Sequence, residues 1–140
     1  MEFITVEQFK EQPKEVQKVF LDWWKPSIGD LYCNEILVNF EGDKIQKLQV
    51  VRNVTDIDYI KQSSAFLCAL FTEGQLRRFI EDKTGYKKLD ITASNLEDGY
   101  YIELLDEKYY IQKAYHCLDG DLLQAYWKVA CMIAREEVDG

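Results

Sequence analysis

Tyr100-Tyr-Ile-Glu-Leu-Leu-Asp-Glu-Lys-Tyr-Tyr-Ile-Gln-Lys-Ala-Tyr115 is the stretch that decides the fold class. Every second residue of Tyr100 to Leu105 gives Ile102 and Leu104 on one side and Tyr101 and Glu103 on the other, and Lys108 to Tyr115 is a second strand-like run. A period of two is the pattern of a half-buried strand. Two such runs separated by Asp106-Glu107 predict an antiparallel hairpin. A two-residue loop would set Leu104 opposite Tyr109 and Ile102 opposite Ile111 on a core-like face. Glu103 would then face Tyr110, and Tyr101 would face Gln112, on the other side. Upstream, Leu31 to Cys33, Ile36 to Phe40 and Ile45 to Val51 also read as strands, with Glu41-Gly42-Asp43-Lys44 as a turn. Leu89 to Ala93 reads as one more. The segment from Asn53 to Ser64 is ambiguous, because Asp56-Ile57-Asp58-Tyr59 alternates like a strand while polar residues crowd both ends.

Helices alternate with these strands. Ile4-Thr5-Val6-Glu7-Gln8-Phe9 carries a capping box, in which Thr5 and Gln8 satisfy each other's backbone amides, flanked by a hydrophobic staple. Phe71-Thr72-Glu73-Gly74-Gln75-Leu76 repeats that order. Pro13 interrupts the first helix and stands at the first turn of a second. That second helix runs to about Trp24, with Val16, Val19, Phe20 and Trp23 on one face, and Lys25-Pro26 stops it. The middle helix runs to about Lys83, with Gly85 beyond its end. Asp119-Gly120-Asp121 caps a closing helix through about Glu137. Leu122, Tyr126, Val129 and Ile133 line one side of it, while Leu123, Trp127, Ala130 and Ala134 widen the apolar arc. So wide an arc needs two apolar neighbours, a sheet and either another helix, with the opening helix through Val16, Phe20 and Trp23 as the candidate, or a second subunit. The expected fold is therefore α+β: a single domain over residues 1–140, with an antiparallel sheet packed against N-terminal, middle and C-terminal helices near 5–24, 73–83 and 120–137.

Composition bounds the function. The 140 residues include 17 Lys+Arg and 25 Asp+Glu, for a net charge of −8, and 47% are apolar. A chain of this size can bury its own core. No run approaches the length of a membrane span, and MEFITVEQFKEQ has neither the basic nor the apolar region of a signal peptide. The expectation is a cytoplasmic protein. The acidic balance argues against direct contact with nucleic acid or an anionic membrane. The charge is uneven: residues 61–88 carry a net +3, with Arg77 and Arg78 among them, and residues 89–120 a net −5, including Asp90, Glu97, Asp98, Glu103, Asp106 and Glu107.

No cofactor, metal or catalytic constellation emerges. Cys33, Cys68, Cys117 and Cys131 lack metal-knuckle spacing, and reduced thiols are expected. His116-Cys117 adjoin, but chain neighbours in extended backbone point to opposite faces. Asn53-Val54-Thr55 is an accidental glycosylation match. Asp56-x-Asp58 and Asp119-x-Asp121 do not continue into a calcium loop. The aromatic content of 14% is the more informative signal. Tyr and Trp are enriched at binding hot spots, although tyrosine is also a good strand former at half-exposed sites. Tyr101, Tyr110 and Glu103 on one hairpin face, Arg77 and Arg78 on the middle helix, and Trp127 on the closing helix form the candidate contact surface.

Three stretches carry a resemblance: ITVEQFKEQPKEVQKVFLDWWKPSIGDLY, LFTEGQLRRFIEDK and DLLQAYWKVACMIAREE. Their order is similar to that of small uncharacterised proteins encoded by phages and prophages of Gram-positive bacteria. The motifs are structural, and the group carries no assigned activity or site. The resemblance implies a phage-related accessory protein in the host bacterial cytoplasm.

The leading expectation is a non-enzymatic protein that occupies a surface of a host macromolecule, such as a defence nuclease or another nucleic-acid-binding protein. The alternative is a binder of small anionic molecules, or an enzyme, with a cleft between the sheet and the closing helix and charge from Arg77 or Arg78. Self-association into a homodimer is the third.

Overall fold

Thr5 and Gln8 close the first capping box as expected. The Thr5 amide donates to Gln8 Oε1 at 3.0 Å, and the Gln8 amide donates to Thr5 Oγ1 at 3.1 Å. This box opens α1 (Val6–Glu11), and Pro13 stands as the N-cap of α2 (Lys14–Trp23). The computed structural model describes residues 2–37, 39–62, 67–93, 99–116 and 118–140. Glu97, Asp98 and Cys117 lie outside the described residues.

The two short strands expected before the first turn are one, β1 (Leu31–Leu37). Its polar middle does not break it, because each polar side chain finds a partner. Asn34 Nδ2 donates to the Tyr59 hydroxyl at 2.9 Å, and Glu35 is ion-paired with Lys10. β1 pairs antiparallel with β2 (Lys44–Val50) and with β3 (Leu67–Leu70), giving the order β2-β1-β3. The ambiguous segment is a helix, α3 (Val54–Gln62). Asn53 Oδ1 accepts from the Asp56 amide at 3.0 Å, and Asp56 Oδ2 accepts from the Arg52 amide at 2.9 Å. An Asn three residues before an acid is a helix-start signature that outweighs the local alternation. The Arg52 hydrogen bonds hold the Asp56 carboxyl below its ordinary range. Phe20 and Phe71 make a tilted ring contact with centroids 5.7 Å apart, and Trp23 meets Phe71 edge-on at 5.8 Å.

These elements form one compact unit, Thr5–Phe71, and the rest of the chain forms another, Met1–Ile4 with Thr72–Gly140. The second opens on its own capping box at Thr72 and Gln75, which starts α4 (Glu73–Thr84). Gly85 ends α4 in the left-handed conformation at φ 77°, as its sequence position predicts. β4 (Lys88–Ala93), β5 (Tyr100–Leu105) and β6 (Ile111–Tyr115) follow as a second antiparallel sheet in the order β4-β5-β6. α5 (Leu122–Asp139) closes the chain behind an Asp121 N-cap. The α+β class is thus realised with five helices and two three-stranded antiparallel sheets among the described residues.

α5 has the two apolar neighbours its wide arc requires, with α4 in the place expected of the opening helix. It packs on α4 and on β5, burying Tyr126, Trp127, Val129, Ala130, Ile133 and Ala134. Ile102 and Leu104 on β5 are fully buried, as their alternation predicts. Among the described residues no helix is long and apolar enough to cross a membrane.

Candidate functional site

The β5–β6 hairpin departs from the register its sequence suggests. Leu104 pairs with Lys113 rather than Tyr109, and Ile102 with Tyr115 rather than Ile111. The loop is longer because the Asp106 side chain organises it. Asp106 Oδ1 accepts from the Lys108 amide at 2.8 Å and the Tyr110 amide at 3.0 Å, and Oδ2 accepts from Gln112 Nε2 at 3.0 Å. Local Asp-to-backbone bonds of this kind compete with ladder pairing. The main chain completes the turn: the Tyr109 amide donates to the Asp106 carbonyl and the Asp106 amide to the Tyr110 carbonyl, both at 3.0 Å.

Tyr109 adopts φ 66°, a left-handed conformation uncommon for a bulky residue. The Lys88 ammonium lies 4.1 Å from the centre of its ring and donates to the Glu107 carbonyl at 3.2 Å. An irregularity between Leu104 and Leu105 sets Ile111 opposite Leu105. A one-residue slip moves a side chain to the other face of a sheet. Ile111 therefore joins the outward face instead of the core. Tyr109, Tyr110 and Ile111 are 68%, 67% and 59% exposed.

The outward face continues along β5 as Leu105, Glu103 and Tyr101, which alternate with the buried Leu104 and Ile102. Asp90 pairs with Glu103 and Thr92 with Tyr101 on one flank. Ala114 pairs with Glu103 on the other, and the His116 ring lies 4.8 Å from that of Tyr101. Of the residues expected to form a contact surface, Tyr101 and Glu103 lie on this face and Tyr110 at its tip. Arg77 and Arg78 are exposed on α4 instead, with Arg77 Nε 3.2 Å from Glu81 Oε1. Trp127 is corrected: at 5% exposure it is a core residue and offers no surface. Tyr109, Ile111 and Lys88 are residues of this exposed tip that the sequence did not reveal. Their signal was Asp-Glu, a poor pair for a two-residue turn.

The cleft expected between sheet and closing helix has a counterpart, a cavity of about 420 Å³ lined by Lys83, Tyr86, Lys113, Ile133, Glu136 and Glu137 among others. Arg77 and Arg78 do not line it. Its lysines are both engaged, Lys83 with Glu137 at 2.7 Å and Lys113 with Glu136 at 2.8 Å. The hydrogen bond that the Lys113 ammonium donates to Glu136 pushes its pKa up. Neither charge is left over for an anion. Compared with known protein families, curated proteins and solved structures, the chain matches none.

Proposed function

We propose that this chain is a phage-related accessory protein that acts by protein–protein contact, through the outward face of β4-β5-β6 and the hairpin tip. The observation that carries the proposal is the tip itself. Three consecutive large side chains, Tyr109, Tyr110 and Ile111, stand exposed on a loop held by five hydrogen bonds at Asp106. A pre-organised aromatic tip binds without the ordering cost that a flexible loop incurs, and Tyr is a favoured anchor type. Asp90 and Glu103 pair on the outward face beside Tyr101, in a segment, residues 89–120, of net charge −5, while Glu107 on the tip is ion-paired with the Lys88 that lies against the Tyr109 ring. An aromatic tip on a face that carries paired acids complements a basic surface with an apolar recess. The groove of a host nucleic-acid-binding protein, including a defence nuclease, has that chemistry. The resemblance to phage and prophage proteins supports the same assignment.

The test is affinity capture from host lysate at low and high salt, with wild type beside the Tyr109→Ala/Tyr110→Ala double variant. A saturable partner that the double variant loses, and that salt weakens, is the expected result. Absence of a saturable partner at any salt overturns the proposal, and so does equal capture by both proteins.

A further inference from the structure

In the Thr5–Phe71 unit, α2 stops at Trp23 because Lys25-Pro26 cannot continue it, and Trp24 turns into extended backbone at ψ 122°. Its indole is fixed there. Nε1 donates to Asp30 Oδ2 at 3.0 Å, and the same oxygen accepts from the Ser27 amide at 2.9 Å. The ring forms part of the wall of a half-open cavity of about 510 Å³. Among the described residues, Leu21, Pro26, Ile57, Ile60 and Leu67 add to its apolar lining. That volume falls within the roughly 300–1,000 Å³ of small-molecule sites, which are apolar with a few polar groups.

Three charged residues also line it among the described residues: Asp22, Lys25 and Lys61. Asp22 Oδ2 is taken by Lys18, at 2.5 Å. Among the described residues, neither the Lys25 nor the Lys61 ammonium has an ion-pair partner. An apolar wall therefore meets two exposed cations that, among the described residues, no ion pair engages. Its complement is a molecule with a hydrocarbon body and a single anionic head. A polyanion is disfavoured, because it would also meet the field of a chain with net charge −8.

We infer that the Trp24 cavity binds a small amphipathic carboxylate, with its hydrocarbon body against Trp24, Ile57 and Ile60 and its carboxylate toward Lys25 and Lys61. This site is separate from the hairpin and stands or falls apart from the contact function proposed for it.

The experiment is calorimetric titration of the full chain with laurate and with 1-naphthoate below any micelle-forming concentration, alongside dodecylamine and dodecanol. One carboxylate per chain is expected, with dodecylamine and dodecanol at least tenfold weaker. Whether laurate or naphthoate binds more tightly tells an aliphatic from an aromatic body. The Lys25→Glu/Lys61→Glu variant should lose at least tenfold in carboxylate affinity with unchanged circular dichroism, while Lys87→Glu, a charge reversal on a lysine outside the lining, should not. Absence of binding by either carboxylate, equal binding by amine and carboxylate, or equal binding by the double variant would each overturn the inference.

Discussion

Cys33 and Cys68 stand directly opposite each other on the neighbouring antiparallel strands β1 and β3. Both are buried free thiols, and burial is the largest cause of the upward shift in each thiol pKa. The thiolate is the reactive form, so a protonated and buried thiol is inert. Alkylation of the native protein near neutral pH should leave Cys33, Cys68 and Cys131 largely unmodified, whereas the denatured, unreduced protein should show four titratable thiols. Peptide mapping reads both. A Cys33–Cys68 disulfide in freshly prepared protein would contradict the expectation.

Cys131 supplies a pH dependence of definite sign. Burial pushes its thiol from 9.0 up to about 12. The folded chain keeps a proton that the unfolded chain releases, so this contribution is fully present below pH 9 and is lost as pH rises toward 12. Each unit is worth about 1.4 kcal/mol. Denaturant unfolding of wild type and Cys131→Ala should show their stability difference shifting against wild type by about 2–3 kcal/mol between about pH 8 and about pH 11. A constant difference across that range would refute the assignment.

Trp127→Ala should cost about 3–5 kcal/mol, the usual range for deleting a large buried aromatic side chain. The side chain is 5% exposed on a helix covered by α4 and β5. Chemical denaturation checks this, and a loss below about 1 kcal/mol would place Trp127 outside the core.

Asp106→Ala removes the acceptor for the Lys108 and Tyr110 amides and for Gln112 Nε2. A loss of about 1–2 kcal/mol is expected, since the loop is exposed and water replaces part of each bond. Tyr110→Ala should stay within about 0.5 kcal/mol of wild type, because that side chain is exposed. Equal stability losses in the two variants would mean that Tyr110 is structural.

Gly99→Ala should destabilise by more than about 1 kcal/mol. At φ 78°, an added Cβ would lie 2.9 Å from the Asp119 backbone, which cannot yield as a side chain can. Gly120→Ala meets nothing within 4 Å and should be near neutral by thermal melting.

How much of the candidate site was legible follows from how each part is made. The inward set Ile102 and Leu104 and the outward set Tyr101 and Glu103 were readable, because strand alternation is a property of consecutive residues. The tip was not. Its geometry depends on one carboxylate, Asp106, choosing backbone amides over solvent, and on a one-residue irregularity that turns Ile111 outward. Trp127 was readable as apolar and unreadable as core or contact, since that depends on what packs against it.

Residues within about one helical turn of each other decided what the sequence determined alone: both capping boxes, the break at Pro13, the stop at Lys25-Pro26 and the Gly85 cap. These are contacts within a single turn, where a side chain reaches its own backbone, so no distant partner is needed. Tertiary structure decided the rest. It joined Leu31–Leu37 into one strand by giving Asn34 and Glu35 partners on other elements, and it divided the strands between two sheets. It also set Cys68 opposite Cys33 and left Lys25 and Lys61 facing one cavity. Each depends on pairing between residues far apart in the chain, whose register and neighbours no local pattern encodes.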